Sequence, residues 1–295
     1  MENYSQQIAA AQTVTSPNLT VVGDLRLHEF SSHIFRNRRY LRVWLPPGYD
    51  LPENAGRRYP VFYLNDGQNL FDAETSFTKV EWQVDETADR LIRSGVIPPT
   101  IFVGIDNAGV ERLKEYLPYR SLNPVVLRPQ GARYSAFLAK EVMPFVSQNY
   151  RTAKGTENTL LGGSSLGGLI TLHVAMTTPG VFGGVLIESP SLWVSNRQIL
   201  REARGPRLWP HKIFLAIGTR EVGRDEKDRQ TVENVRELER ILRRSGLDDR
   251  RLRVEVAEGG THSEYAWATR FPGALQFLLG LQPPGAKTGV AASAV

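Results

Sequence analysis

In the run Gly162-Gly163-Ser164-Ser165-Leu166-Gly167-Gly168, glycines stand two before and two after Ser165. The spacing G-x-S-x-G is that of a nucleophile elbow, a tight strand-to-helix turn whose small residues let strand and helix approach while the serine Oγ stays exposed. The apolar residues Thr159-Leu160-Leu161 just before it supply the strand. Ser164 does not fit this register, because Leu166 rather than a glycine follows it by two. Ser165 is therefore the candidate nucleophile.

A serine hydroxyl attacks poorly near neutral pH unless an imidazole accepts its proton and a carboxylate orients that imidazole. In a strand-turn-helix elbow the expected chain order is serine, acid, histidine. Of the five histidines, His262 alone follows the last predicted strand, in the loop Gly259-Gly260-Thr261-His262. His28 and His33 precede the elbow, His173 falls two turns into the helix after it, and His211 comes before a strand. Glu221, reached from the strand 213–217 through Gly218-Thr219-Arg220, is the candidate acid; Asp225 and Asp228 are alternatives, and a Ser-His dyad without an acid is the third. A tetrahedral oxyanion also needs two N–H donors, each worth about 3 kcal/mol in the transition state. The backbone amide of Leu166 is one candidate; Gln68, with Gly67 as its alternative, offers the other from the turn Asp66-Gly67-Gln68.

The elements that must hold these residues follow from apolar patterning. Segments 25–30 and 39–45 alternate or end at Pro46-Pro47-Gly48, as antiparallel edge strands do. Shorter, continuously apolar strands follow at 60–64, 100–105, 184–187, 212–217 and 252–256, with helices near 82–94, 134–150 and 228–245. This predicts an α/β fold with a mostly parallel central sheet and helices on both faces. Such sheets bind ligands beyond the carboxyl ends of their strands, which is where every candidate falls. Residues 1–20 read as a loose arm, 21–282 as one domain, and 283–295, rich in Pro, Gly and Ala, as a disordered tail.

Composition narrows the chemistry further. The chain has 295 residues, 41% hydrophobic and 23% charged, as an ordinary globular enzyme does. The net charge of +5 comes with mixed-sign stretches such as Arg224-Asp225-Glu226-Lys227-Asp228-Arg229 and no dense basic run among aromatics, so no nucleic-acid partner is expected. The absence of cysteine excludes disulfides, a thiolate nucleophile and Cys-ligated metals. No His and carboxylate cluster with metal-ligand spacing is evident, and no metal or cofactor is expected. The glycine-rich run lacks the Gly-Lys-Ser/Thr ending of a phosphate-binding loop. The segment from Met1 to Ser16 is polar, and no stretch reaches ~18 consecutive apolar residues, so a cytoplasmic protein with no membrane partner is expected.

These residues resemble the Putative esterase family of α/β-hydrolases, which includes enterochelin-type trilactone esterases, feruloyl and acetyl-xylan esterases and S-formylglutathione hydrolases. The resemblance is carried by Asp66-Gly67-Gln68-Asn69-Leu70-Phe71, Val103-Gly104-Ile105-Asp106-Asn107, the elbow, Ser189-Pro190-Ser191-Leu192-Trp193, Gly218-Thr219-Arg220-Glu221 and Gly259-Gly260-Thr261-His262-Ser263-Glu264, with Trp267 beyond. It spans about residues 25 to 280 and implies an α/β-hydrolase fold. It also implies a serine esterase working through an acyl-enzyme, with Ser165, His262 and Glu221 as nucleophile, base and acid and a small-molecule ester as substrate. A siderophore-type lactone is one analogy within the family, another acyl or aryl ester the other. Arg112, Arg120, Trp193 and Trp267 are then the candidate substrate contacts. Acyl transfer by the same residues, or a non-catalytic binding protein on the same fold, are the alternatives.

Overall fold

A computed structural model describes the backbone of Gln12–Thr13 and residues 20–280 in full. Nine strands form one sheet in the order β1-β2-β3-β5-β4-β8-β9-β10-β11, and β6 and β7 form a separate two-stranded hairpin. The strands of the large sheet are β1 (Gln12–Thr13), β2 (Asp24–Ser32), β3 (Asn37–Leu45), β4 (Val61–Asn65) and β5 (Ile101–Ile105), then β8 (Thr159–Ser164), β9 (Gly184–Glu188), β10 (Lys212–Arg220) and β11 (Leu252–Thr261). The hairpin strands are β6 (Ser121–Leu122) and β7 (Val125–Val126). From β5 across to β11 every pairing is parallel, whereas β1, β2 and β3 are antiparallel to their neighbours. The expected architecture is present, including its antiparallel N-terminal edge.

The helices are α1 (Val84–Arg93), α2 (Arg112–Tyr116), α3 (Tyr134–Phe137), α4 (Met143–Asn149), α5 (Leu166–Thr177), α6 (Val194–Ala203), α7 (Asp225–Arg244) and α8 (Glu264–Leu279). Because side chains alternate across a strand, Val61 and Tyr63 of β4 enter one core layer with α3 to α7, while Phe62 and Leu64 enter the other with α1 and α8. Both faces are thus covered, which is why the central strands read as unbroken apolar runs. The helix expected over 134–150 forms as α3 and α4 joined by a π-helical turn, Leu138–Val142. Pro144 has no N–H to give to the preceding turn, and the wider turn accommodates that loss.

Two elements differ from expectation in a way that matters for the site. Strands β10 and β11 run on to Arg220 and Thr261, past the ends read at 217 and 256. Their register shifts between Gly218, opposite Ala257, and Arg220, opposite Thr261, so two steps on β10 face four on β11. Gly259 supplies a positive φ of 71° in this bulge, and its N–H donates to Thr219 Oγ1 at 2.8 Å. The N-terminal arm expected at 1–20 is described only at Gln12–Thr13, which pairs with β2, and at Thr20; the tail 283–295 lies outside the described residues. Among the described residues, no helix is long and apolar enough to cross a membrane.

Candidate active site

Strand β8 delivers the chain to Ser164, and Ser165 makes the turn with φ 56° and ψ −121° before α5 begins at Leu166. A side-chain-bearing residue in that region is strained by roughly 1–3 kcal/mol, so its surroundings must hold it there. Neighbouring backbone does so: Ser165 N–H donates to the Glu188 carbonyl at 3.0 Å, and Ser191 N–H donates to the Ser165 carbonyl at 3.0 Å. The glycines are required by contact. A Cβ on Gly163 would lie 2.8 Å from the carbonyl carbon of Gly167, and one on Gly168 would lie 2.9 Å from the Glu188 carbonyl oxygen. The serine is half-buried, and its Oγ lies 3.4 Å from Ser191 Oγ.

The bulge between β10 and β11 brings His262 over the end of β10. Its Nδ1 lies 2.5 Å from Glu221 Oε2. Glu221 is itself fixed: its Oε1 accepts the Gly218 N–H at 2.7 Å and the Ser189 hydroxyl at 2.8 Å, and its side chain is 3% exposed. Burial alone would raise its pKa, but the hydrogen bonds from His262, Gly218 and Ser189 outweigh burial and hold the carboxyl below the usual range. Asp225 and Asp228 do not share this position. Asp225 opens α7 on the surface, and Asp228 accepts the Val222 N–H at 2.6 Å, which braces the turn after Glu221.

Beneath Glu221 lies a second polar layer. The Trp267 indole N–H donates to Ser189 Oγ at 3.0 Å, and the Trp267 ring meets His262 edge-on with centroids 5.1 Å apart. Arg270 donates twice to Glu188 Oε1, at 3.0 and 2.6 Å, with both side chains buried. Burial pushes the Glu188 carboxyl up to about 7, against the pull of Arg270. Ser189 is named in the sequence only as part of the motif Ser189-Pro190-Ser191-Leu192-Trp193, and the pairing of Glu188 with Arg270 is not read there. Their positions after β9 and inside α8 give no local pattern that links them.

Ser165 and His262 line one cavity of about 650 Å³ with Gln68, Arg112, Glu264 and Trp267. Thr75, Phe77 and Thr78, from the loop that follows Asp72, form part of its wall. The serine and imidazole are not hydrogen-bonded to each other in the structure; such a contact is commonly long in a free enzyme and closes with substrate bound. Gln68 sits in the first turn of a short 3-10 helix, Gly67–Asn69, after Asp66 with φ 60°. Gly67 packs against β5 so closely that a Cβ there would lie 2.6 Å from the Gly104 carbonyl carbon. Leu166 is the first residue of α5, where helix geometry leaves an N–H without an intrahelical acceptor.

The other candidates are dispersed. Arg112 reaches the cavity, but its guanidinium is paired with Asp66 through Nε at 2.6 Å and Nη2 at 2.8 Å and lies 5.1 Å over the Tyr116 ring. Asn107 Nδ2 donates to the same carboxylate at 2.7 Å, so Asp66 anchors this whole wall. Arg120 is exposed and outside the cavity lining. Trp193 borders a separate depression of about 320 Å³ with Val222 and Lys227.

The geometry brings a strained serine, a carboxylate-bound imidazole and unengaged helix-terminal amides to the carboxyl edge of one sheet, the arrangement for acyl chemistry. Comparison with known proteins points the same way. Residues 32–278 match the family model described as Putative esterase. YbbA of Bacillus subtilis (strain 168), described as an uncharacterized protein, is 24% identical over 256 residues, covering 85% of this chain and 96% of YbbA. The ferri-bacillibactin esterase BesA of the same organism is 27% identical over 242 residues, covering 75% of this chain and 78% of BesA. Among solved structures, the siderophore hydrolase EstA from Aspergillus nidulans superposes with a TM-score of 0.68 at 25% identity, covering 86% of this chain and 94% of EstA. The chain thus belongs to the Putative esterase family and is a carboxylic-ester hydrolase of the α/β-hydrolase fold.

Proposed function

We propose that the chain hydrolyses its ester through an acyl-enzyme, with Ser165 as nucleophile, His262 as general base and acid, and Glu221 as the carboxylate that orients the imidazole. The observation that carries this reading is the Glu221-His262 contact of 2.5 Å at the mouth of the cavity that Ser165 lines. With Nδ1 engaged by a carboxylate, the imidazole keeps its proton on that side, and Nε2 is left as the acceptor for the serine proton. Ser165 Oγ then attacks the ester carbonyl, and the proton held on Nε2 passes to the departing alcohol. A water activated by the same nitrogen frees the acid. The amides of Leu166 and Gln68 are the proposed donors to the oxyanion. A donor at Gln68 fits a turn held in place by the Asp66-Arg112 pair.

For the substrate we propose an acyl or aryl ester bound between Trp267 and the Thr75–Thr78 wall. Arg112 is neutralised by Asp66, so binding through shape and hydrogen bonds fits this cleft better than attraction of a highly charged anion. A siderophore-type lactone is the second reading, favoured by the likeness to BesA and EstA. Ser165→Ala should abolish hydrolysis of short p-nitrophenyl esters with circular dichroism unchanged, and a fluorophosphonate should label Ser165 alone. Retained turnover in that variant, or labelling elsewhere, refutes the assignment. An ester panel that includes a catecholate trilactone separates the two substrate readings.

A further inference from the structure

Where the loop that walls the cavity runs into the first turn of α1, Glu81, Asp85 and Glu86 each bring a carboxylate oxygen within 4.8 Å of the other two. Asp85 is wholly buried and Glu81 is 6% exposed, yet Glu81 Oε2, Asp85 Oδ1 and Glu86 Oε2 have no hydrogen-bond partner. The charges that bear on Glu81 are those of Glu86 and Asp72, and those that bear on Asp85 are those of Glu86 and Glu81, all negative. Asp85 has a donor for its other oxygen in the Val22 N–H, and Glu81 has one in the Gln83 N–H, but among the described residues no cation faces the cluster, and proteins relieve the cost of such buried carboxylates by pairing them or by coordinating a metal. Hard oxygen donors of this kind suit calcium, whose ligands lie about 2.3–2.6 Å from the ion, so two oxygens across one ion are separated by no more than about 5 Å.

We propose that Glu81, Asp85 and Glu86 bind a divalent cation, calcium by the character of its ligands. The site is independent of the esterase mechanism, and its position gives it a structural task. Asp85 Oδ2 accepts the Val22 N–H at 2.6 Å, α1 starts at Val84, and Glu81 closes the loop that carries Thr75, Phe77 and Thr78 to the cavity. An ion held there ties the chain before β2, the first turn of α1 and the base of the cavity wall to one point.

The test uses the full chain stripped with EDTA and titrated with CaCl2 or MgCl2, followed by calorimetry and thermal melting. One calcium per chain and a rise in Tm of about 5 °C at a hundredfold excess over Kd are expected. Glu81→Gln and Glu86→Gln keep the shape and remove the charge. Each should weaken calcium binding at least about tenfold while melting in EDTA at or above the wild-type temperature, because a buried charge has been relieved. If Glu81→Gln does not fold, Glu86→Gln, at the half-buried edge, decides alone. No saturable uptake of either metal by the wild type, as expected of carboxyls that share a proton, overturns the proposal. A response unchanged in the variants does so too, and tighter binding of MgCl2 than of CaCl2 overturns the assignment to calcium.

Discussion

Replacing Glu221 by Gln tests the proposed machinery through a property that only its geometry supplies. Glutamine matches the size of glutamate but carries one acceptor and one donor end, and the site dictates which end goes where. Gly218 N–H points at the Oε1 position from 2.7 Å and cannot rotate away, so an NH2 group placed there would confront it donor to donor. Ser189, 2.8 Å from the same position, is satisfied by the carbonyl end as well. The amide nitrogen is therefore driven into the Oε2 position, 2.5 Å from His262 Nδ1, which must now accept rather than donate. The imidazole proton moves to Nε2 and faces the serine, so the base is in the wrong tautomer. Loss of this kind lowers kcat by about 10⁴-fold in serine hydrolases whose geometry is otherwise intact. That factor corresponds to ~5 kcal/mol of transition-state stabilisation. The assay is kcat for p-nitrophenyl acetate at several pH values, with Tm measured in parallel to show that the fold is kept. A kcat within about tenfold of wild type refutes the assignment of Glu221 and returns the role to Asp225, Asp228 or a dyad.

Two further perturbations probe the layers around that triad. Arg270→Met strands Glu188 in the core, and breaking a buried pair from one side costs about 3–5 kcal/mol, measurable by urea denaturation. The pH dependence has a definite direction. Glu188 sits at about 7 in the folded chain against about 4.5 when unfolded, so its contribution is most favourable below pH 4.5 and falls away as the pH rises towards 7. Without Arg270 the folded carboxyl titrates higher, so the decline should keep its slope and continue above pH 7; a pH-independent loss refutes this account of Glu188. Gly163→Ala places a methyl carbon 2.8 Å from the Gly167 carbonyl carbon, a backbone atom that cannot swing aside. Strand and helix must part, displacing Ser165, and a misplacement of ~1 Å costs about 10²-fold in kcat/KM. Near-normal turnover in this variant shows that the elbow tolerates separation.

The elbow was legible because its chemistry is local: glycines two residues either side of a serine are a contact requirement written directly into the chain. The order of Glu221 and His262 was legible because each follows an apolar strand. What joins them was not. The extra residues of β11 opposite Gly218 and Arg220 form a bulge only because two strands pair, and neither sequence alone records a register shift. Arg112 shows the same limit. A lone arginine after a strand reads as positive charge for a substrate, whereas its partner, Asp66, lies 46 positions away. The acidic corner was missed for a related reason. Spacing of four and five from Glu81 to Asp85 and Glu86 reads as the polar start of a helix, and only packing turns those carboxylates inward.

The glycine at 218 explains why Glu221 and His262 arrive together. A Cβ there would lie 2.1 Å from the Gly260 carbonyl oxygen, so β10 and β11 pinch to backbone contact at that point. The same residue donates its N–H to Glu221 Oε1, which folds the carboxylate back over the strand that carries it. Around that backbone contact the surplus residues of β11 between Ala257 and Thr261 leave the ladder, with the Gly259 N–H held by Thr219 Oγ1, and the resulting bulge carries His262 to the carboxylate. Ser165 and Glu221 are joined in turn by Glu188 and Ser189, whose carbonyl and hydroxyl hold Ser165 N–H and Glu221 Oε1. Adjacent residues at the end of β9 thus set the spacing between the two halves of the proposed machinery. A shift of that strand end would be felt by Ser165 and Glu221 alike.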